Sequence, residues 1–141
     1  MSEIAIQVDI AAGRTAVYEA LNTHGGLVGW WTTGVDREEE TLLFDFPGVP
    51  EPFRLRRDEA TADRVAWTSV GAFPPHWAAT TMVWELSDSP EVEHGTRVLF
   101  RHAGWQPGDP GLPPAAYTWG QLLTRLKDFA ETGTPQPLFT V

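Results

Sequence analysis

Cysteine is absent from the 141 residues, which excludes a disulfide framework, a thiolate metal site and a cysteine nucleophile. No apolar run approaches the roughly 20 residues that span a bilayer, and no basic segment followed by an apolar stretch opens the chain. Neither a membrane span nor a secretory leader is expected, and the chain reads as cytoplasmic. Positive charge is scarce as well. Ten Lys and Arg stand against nineteen Asp and Glu, a net charge of -9 that repels nucleic-acid phosphates and anionic membranes. Nucleic acid is therefore not an expected partner. The acidic residues are scattered apart from Glu38, Glu39 and Glu40, a run that reads as a solvated surface.

Catalytic and cofactor motifs are missing too. No His-x-x-x-His or His-Glu-x-x-His spacing offers a metal site, and neither a Gly-x-Gly-x-x-Gly nor a P-loop motif offers a phosphate cradle. Ser69 lacks the strand-turn-helix elbow of a serine hydrolase. No metal and no cofactor is expected. Large aromatics, by contrast, are abundant: seven Trp and seven Phe imply a wide core or a lined pocket.

At this length one domain covering residues 1–141 is expected, large enough for a single core without staples. Ile4, Ile6, Val8 and Ile10 alternate with polar or small residues, the period of a strand with one buried face. Gly13 breaks the run, and Val17, Ala20 and Leu21 then fall at helical spacing. A second short helix or turn is expected over His24 to Gly29, delivering Trp30 and Trp31 to the next strand. Leu42, Phe44 and Phe46, then Phe53 and Leu55, form a hairpin about Pro47-Gly48. Val65, Trp67 and Ser69, then Met82, Trp84 and Leu86, then Val98, Phe100 and His102 mark three further inward faces. Gly71 to Trp77 reads as a connection because of its prolines, and Ala103 to Pro114 as a lid-like loop carrying Trp105. A last helix starts near Pro114 or Ala115, buries Trp119, Leu122, Leu123, Leu126, Phe129 and Ala130, and stops at Gly133.

The expected class is therefore α+β: a curved six-stranded antiparallel sheet wrapped around a long C-terminal helix, with two short helices between strands one and two. Short connections favour a meander over parallel crossovers.

Three stretches carry a family resemblance: Val-Tyr-Glu-Ala-Leu with Leu-Val-Gly-Trp-Trp-Thr, then Gly95 to Trp105, then Trp119 to Gly133. Together they resemble the START-like helix-grip (SRPBCC) superfamily, and more narrowly the branch named for the C-terminal domain of the Hsp90 ATPase activator. The resemblance covers almost the whole chain and implies the helix-grip fold. It implies a range of activities, since the superfamily includes lipid and hormone carriers, plant pathogenesis-related proteins, polyketide cyclases and an enediyne self-resistance protein. In the activator, chaperone contact also depends on a separate N-terminal domain, for which this chain has no room. Hsp90 contact is not expected.

Two histidines stand out because imidazole can act as acid, base or ligand near neutral pH. His102 shares the inward parity of Val98 and Phe100, and is either a polar group at a pocket mouth or a satisfied core histidine. His76 lies in the aromatic loop, either as a pocket contact or as an exposed loop residue. The candidate ligand-binding residues are Trp30, Trp31, Phe44, Trp67, Trp77, Trp84, Phe100, His102, Trp105, Tyr117, Trp119 and Leu123. Each aromatic among them could equally be core filling. Phe46 belongs to the same aromatic set, and Arg54, Arg56 and Arg57 are weighed as an anion site against a charged outer face.

The leading expectation is a protein that binds a small hydrophobic molecule between sheet and C-terminal helix, with polar selection from His102, Tyr117 or His76. The alternatives are a cyclase-like enzyme using His102 as proton shuttle and a partner-binding module with an exposed apolar patch. A weak homodimer is compatible with the sequence, although no heptad pattern supports one.

Overall fold

The computed structural model describes residues 2–141. Strand β1 (Ser2–Ile10) is followed by helices α1 (Arg14–Asn22) and α2 (His24–Trp30), then by β2 (Gly34–Glu38), β3 (Thr41–Asp45), β4 (Phe53–Ala60), β5 (Arg64–Val70), β6 (Thr81–Asp88) and β7 (Thr96–Trp105), and finally by α3 (Leu112–Thr132). The strands form one antiparallel sheet in the order β1-β7-β6-β5-β4-β3-β2. Five hairpins supply the meander from β2 to β7, and β1 closes on β7 with Ile6 opposite Phe100. The long helix α3 lies over the concave face, the arrangement that buries both its apolar stripe and the inward side of every strand.

The α+β helix-grip architecture is present with seven strands rather than six. The added strand is β2, which pairs only with β3 and is exposed from Asp36 to Glu38. An edge strand with one free side and a charged face carries no buried alternation for a sequence pattern to reveal. The acidic run is thus partly strand: Glu38 ends β2, and the chain turns through Glu39, whose φ is 55°.

A second correction concerns Trp105. It does not sit on a lid: β7 runs to Trp105, whose side chain is fully buried. Thr96, Val98, Phe100 and His102 face inward at even positions, so simple alternation would point Trp105 outward. The register against β1 shifts at this point, from Glu3 opposite Ala103 to Ser2 opposite Trp105, with Gly104 at φ 92° as the extra residue. This bulge swings Trp105 back to the concave side.

Helix α1 packs through Val17, Ala20 and Leu21. The Thr23 hydroxyl caps α2 by accepting from the Gly26 N–H at 2.9 Å. Helices α2 and α3 touch at Gly29, where a Cβ would lie 2.4 Å from the Phe129 ring. Helix α3 begins at Leu112, slightly earlier than expected, because Pro113 and Pro114 occupy its first turn, where no N–H is needed. It ends at Gly133, whose φ of 74° lets its N–H reach the Phe129 carbonyl at 2.7 Å.

Trp119 projects from α3 into the middle of the sheet. Its ring centroid is 4.3 Å from Phe100, 5.2 Å from Trp31 and 5.8 Å from Trp84. Beyond α3 the tail returns beside Trp30–Thr33: Leu138 and Phe139 donate to the carbonyls of Trp30 and Trp31 at 3.1 and 3.0 Å, and Thr33 donates to Phe139 at 3.1 Å. These bonds hold the Phe139 ring 5.1 Å from Phe46. No helix among the described residues is long and apolar enough to cross a membrane.

Candidate ligand cleft

The space beneath the centre of α3 is filled by side chains, and open volume lies at its N-terminal end. A cleft of about 370 Å³ is bounded by Pro114, Ala115, Thr118, Trp119 and Leu122 of α3, Phe46, Pro47, Val49 and Phe53 around the β3–β4 turn, and Pro74, His76 and Trp77 of the β5–β6 loop. Trp31 forms part of its floor and Phe139 one wall. Each wall has a local cause. Prolines 74 and 75 deny the β5–β6 loop ladder hydrogen bonds. Pro75 instead starts a single 3-10 turn through Trp77, whose N–H donates to the Pro74 carbonyl at 3.0 Å. The Trp77 ring then stacks at 6.1 Å on Trp119 and meets Phe53 edge-on at 5.0 Å. Phe46 packs edge-on against Phe53 at 4.8 Å. The lining is aromatic and aliphatic apart from His76 and Thr118, and the Thr118 hydroxyl is committed to the Pro114 carbonyl at 3.0 Å.

Of the candidate residues, Trp31, Trp77 and Trp119 line this cleft, and so does His76. Trp30, Phe44, Trp67, Trp84, Phe100, Trp105 and Leu123 are core residues. Tyr117 lies on the outer side of α3, 71% exposed. Arg56 and Arg57 pair with Asp58 and Glu40 at 2.7 and 3.1 Å and do not enter the cleft. Pro47, Val49, Pro74 and Phe139 come to the cleft from loops and the tail, where no periodicity marks them, whereas Phe53 opens β4 and alternates with Leu55. The density of Pro and Phe around two turns was the available signal.

His102 is fully buried behind the cleft, with both ring nitrogens engaged. The Trp119 indole N–H donates to Nδ1 at 3.0 Å, so the proton of the neutral ring sits on Nε2, which is 2.8 Å from the Thr80 hydroxyl. Thr80 in turn donates to the Trp77 carbonyl at 2.8 Å. Burial pushes the His102 pKa down to about 3, since an imidazolium here would lose its hydration without gaining an anion. A ring held neutral and bonded on both sides is a structural link between α3, β7 and the β5–β6 loop. It has no free nitrogen for a proton shuttle.

His76 is different. Its Nδ1 lies 2.8 Å from Asp109 Oδ1, and its side chain is half exposed. The same carboxylate oxygen accepts from the Gly111 N–H at 2.7 Å. Elsewhere, the indole nitrogens of Trp67, Trp84 and Trp105 are buried without a hydrogen-bond partner. Trp67 meets Trp84 edge-to-face at 5.5 Å, a geometry that offsets part of the cost through ring quadrupoles. Among the described residues no group of three metal-ligating side chains occurs. The large apolar residues left exposed among them are Tyr117 and Val141.

The same architecture recurs among solved structures. An Aha1 dimer from Colwellia psychrerythraea, determined in solution, matches with a TM-score of 0.83 and 28% identity over 94% of this chain and 98% of that one. Protein SSP2350 from Staphylococcus saprophyticus matches with a TM-score of 0.74 and 19% identity over 98% of both chains. DynU16, a protein of the dynemicin biosynthetic locus, matches with a TM-score of 0.70 and 21% identity, over 96% of this chain and 49% of its own. No family model matches the chain, and no curated protein does. The protein has the START-like helix-grip fold.

Proposed function

We propose that the protein binds a small, flat, largely apolar molecule in the cleft at the N-terminal end of α3. The observation that carries this reading is an aromatic-lined opening of about 370 Å³; a second cleft of about 350 Å³, bounded by Gly13, Arg14, Asp88, Ser89, His94 and Gly95, has no aromatic lining. A cavity of about 150 Å³ accommodates one benzene ring, so this volume suits roughly two or three fused rings. Trp77 and Phe53, packed edge-on against each other at 5.0 Å, both present aromatic surface to the opening.

A thermal-stability screen with fatty acids, sterols, flavonoids and polycyclic polyketides tests it, because a ligand that binds only the folded state raises the apparent melting temperature by mass action. Planar ring compounds should stabilise the protein saturably, and Trp77→Ala should abolish the shift. Stabilisation by fatty acids alone, or an undiminished shift in the variant, would refute it.

The likeness to the Aha1 dimer supports membership of the activator-like branch and makes self-association a second reading. With Tyr117 and Val141 as the large hydrophobic side chains exposed among the described residues, we expect a dimer of this chain to be weak. Sedimentation velocity over a concentration series tests that reading, and a single monomer species throughout would remove it.

A further inference from the structure

We propose that His76, oriented by Asp109, accepts a hydrogen bond from a hydroxyl on the bound molecule, so that the ligand is a hydroxylated aromatic of the phenol or naphthol kind. This inference rests on the cleft being a ligand site and adds the chemical class.

An ionised carboxylate can only accept. With Asp109 Oδ1 at 2.8 Å, the proton of the neutral His76 ring must therefore be on Nδ1. Nε2 is left as an acceptor with a free lone pair. Asp109 is fixed for this task, since its side chain is only 10% exposed and its Oδ1 also accepts from Gly111. Gly111 is packed so close that a Cβ would lie 3.0 Å from His76 Cγ, which sets the imidazole against the start of α3. The other polar side chain of the lining, Thr118, already donates to its own helix. His76 Nε2 is then the uncommitted side-chain acceptor of the lining, and it favours a guest that brings a hydroxyl donor over the same ring system without one; the indole N–H groups of Trp31 and Trp77 are donors only and do not compete for that role.

Isothermal titration with 2-naphthol, 2-methoxynaphthalene and 2-naphthoate separates the terms, since the three share a ring system and differ only in the polar group. The wild-type protein should bind 2-naphthol roughly five- to tenfold more tightly than its methyl ether, the worth of one hydrogen bond. His76→Phe, which keeps a ring in place, should bind both equally, with circular dichroism confirming the fold. Equal wild-type affinity for naphthol and ether would overturn the hydroxyl assignment and leave the cleft reading standing. Tighter binding of 2-naphthoate would overturn it in favour of an imidazolium-carboxylate pair. Binding of none of the three would overturn both readings.

Discussion

Acid should weaken this fold well before its carboxylates titrate, because His102 must stay neutral inside it. The folded pKa lies at about 3, and an unfolded histidine titrates near 6.5. Between those values the unfolded chain binds a proton that the folded one refuses. Stability from this group is therefore complete above pH 6.5 and falls as the pH drops below it, at close to 1.4 kcal/mol per unit. From pH 7.5 to 5.0 the loss comes to about 2 kcal/mol, a large share of the ~5–15 kcal/mol that a domain of this size commands. The carboxylates with lowered pKa do not confuse this window. Arg97 holds Asp9 below the usual range, Lys127 does the same for Glu131, and at Asp58 desolvation is outweighed by hydrogen bonds from Thr68 and Arg56, which lower it, so their contributions fade only as pH falls through values near 4 and below. The assay is urea denaturation at pH 7.5 and 5.0 in the wild type and in His102→Gln, whose amide can still offer an acceptor to Trp119 and a donor to Thr80. The wild type should lose about 2 kcal/mol with an unchanged m-value, and the variant close to none of it. A flat wild-type profile, or an equal drop in the variant, would refute the placement of a neutral, doubly bonded imidazole in the core.

Three further outcomes follow from single contacts. Gly29→Ala drives a methyl to 2.4 Å from the Phe129 ring and should cost about 1–3 kcal/mol of stability, measured by urea denaturation; a neutral result would mean that α2 and α3 are not in direct contact there. Gly111→Ala crowds His76 and Asp109, with contacts of 3.0 and 3.2 Å. It should leave the melting temperature within a few degrees while reducing the preference for 2-naphthol over its ether, and a preserved preference would refute the role of the packed glycine. Phe139→Ala removes a wall of the cleft and should weaken planar-ligand affinity in calorimetry by roughly tenfold, whereas unchanged affinity would show that the tail takes no part in binding.

Most of the fold is written in alternation. Ile4 to Ile10, Met82 to Leu86 and Val98 to His102 each bury one face, and the stripe from Trp119 to Leu126 is the buried side of α3. Alternation fails where a strand has no buried face, as at Asp36 to Glu38, and where one inserted residue inverts parity, as Gly104 does for Trp105. The site was less legible for a related reason. Aromatic abundance implied a lined pocket, but parity selects core residues, and Trp67, Trp84 and Phe100 duly lie in the core. The cleft draws on Phe46, Phe53, Pro74, His76 and Phe139, brought together by turns and by the returning tail. His76 and Asp109 meet only because two proline-rich loops converge, and no spacing encodes that. For His102 both of its possible roles were visible in the sequence, and the structure's three-bond chain through Trp119, Thr80 and Trp77 makes it the satisfied core histidine.

The most direct test of the cleft uses the seven tryptophans as reporters in a nitrogen-15 NMR titration with 2-naphthol. Trp31, Trp77 and Trp119 line the opening, while Trp67, Trp84 and Trp105 are buried away from it. Saturable shifts of the indole N–H signals of the first three, with the second three unmoved, is the predicted result. Shifts centred on Trp67, Trp84 and Trp105 would mean that the ligand enters the core beneath α3, and an unchanged spectrum would mean that the cleft does not bind planar molecules; either would contradict the account.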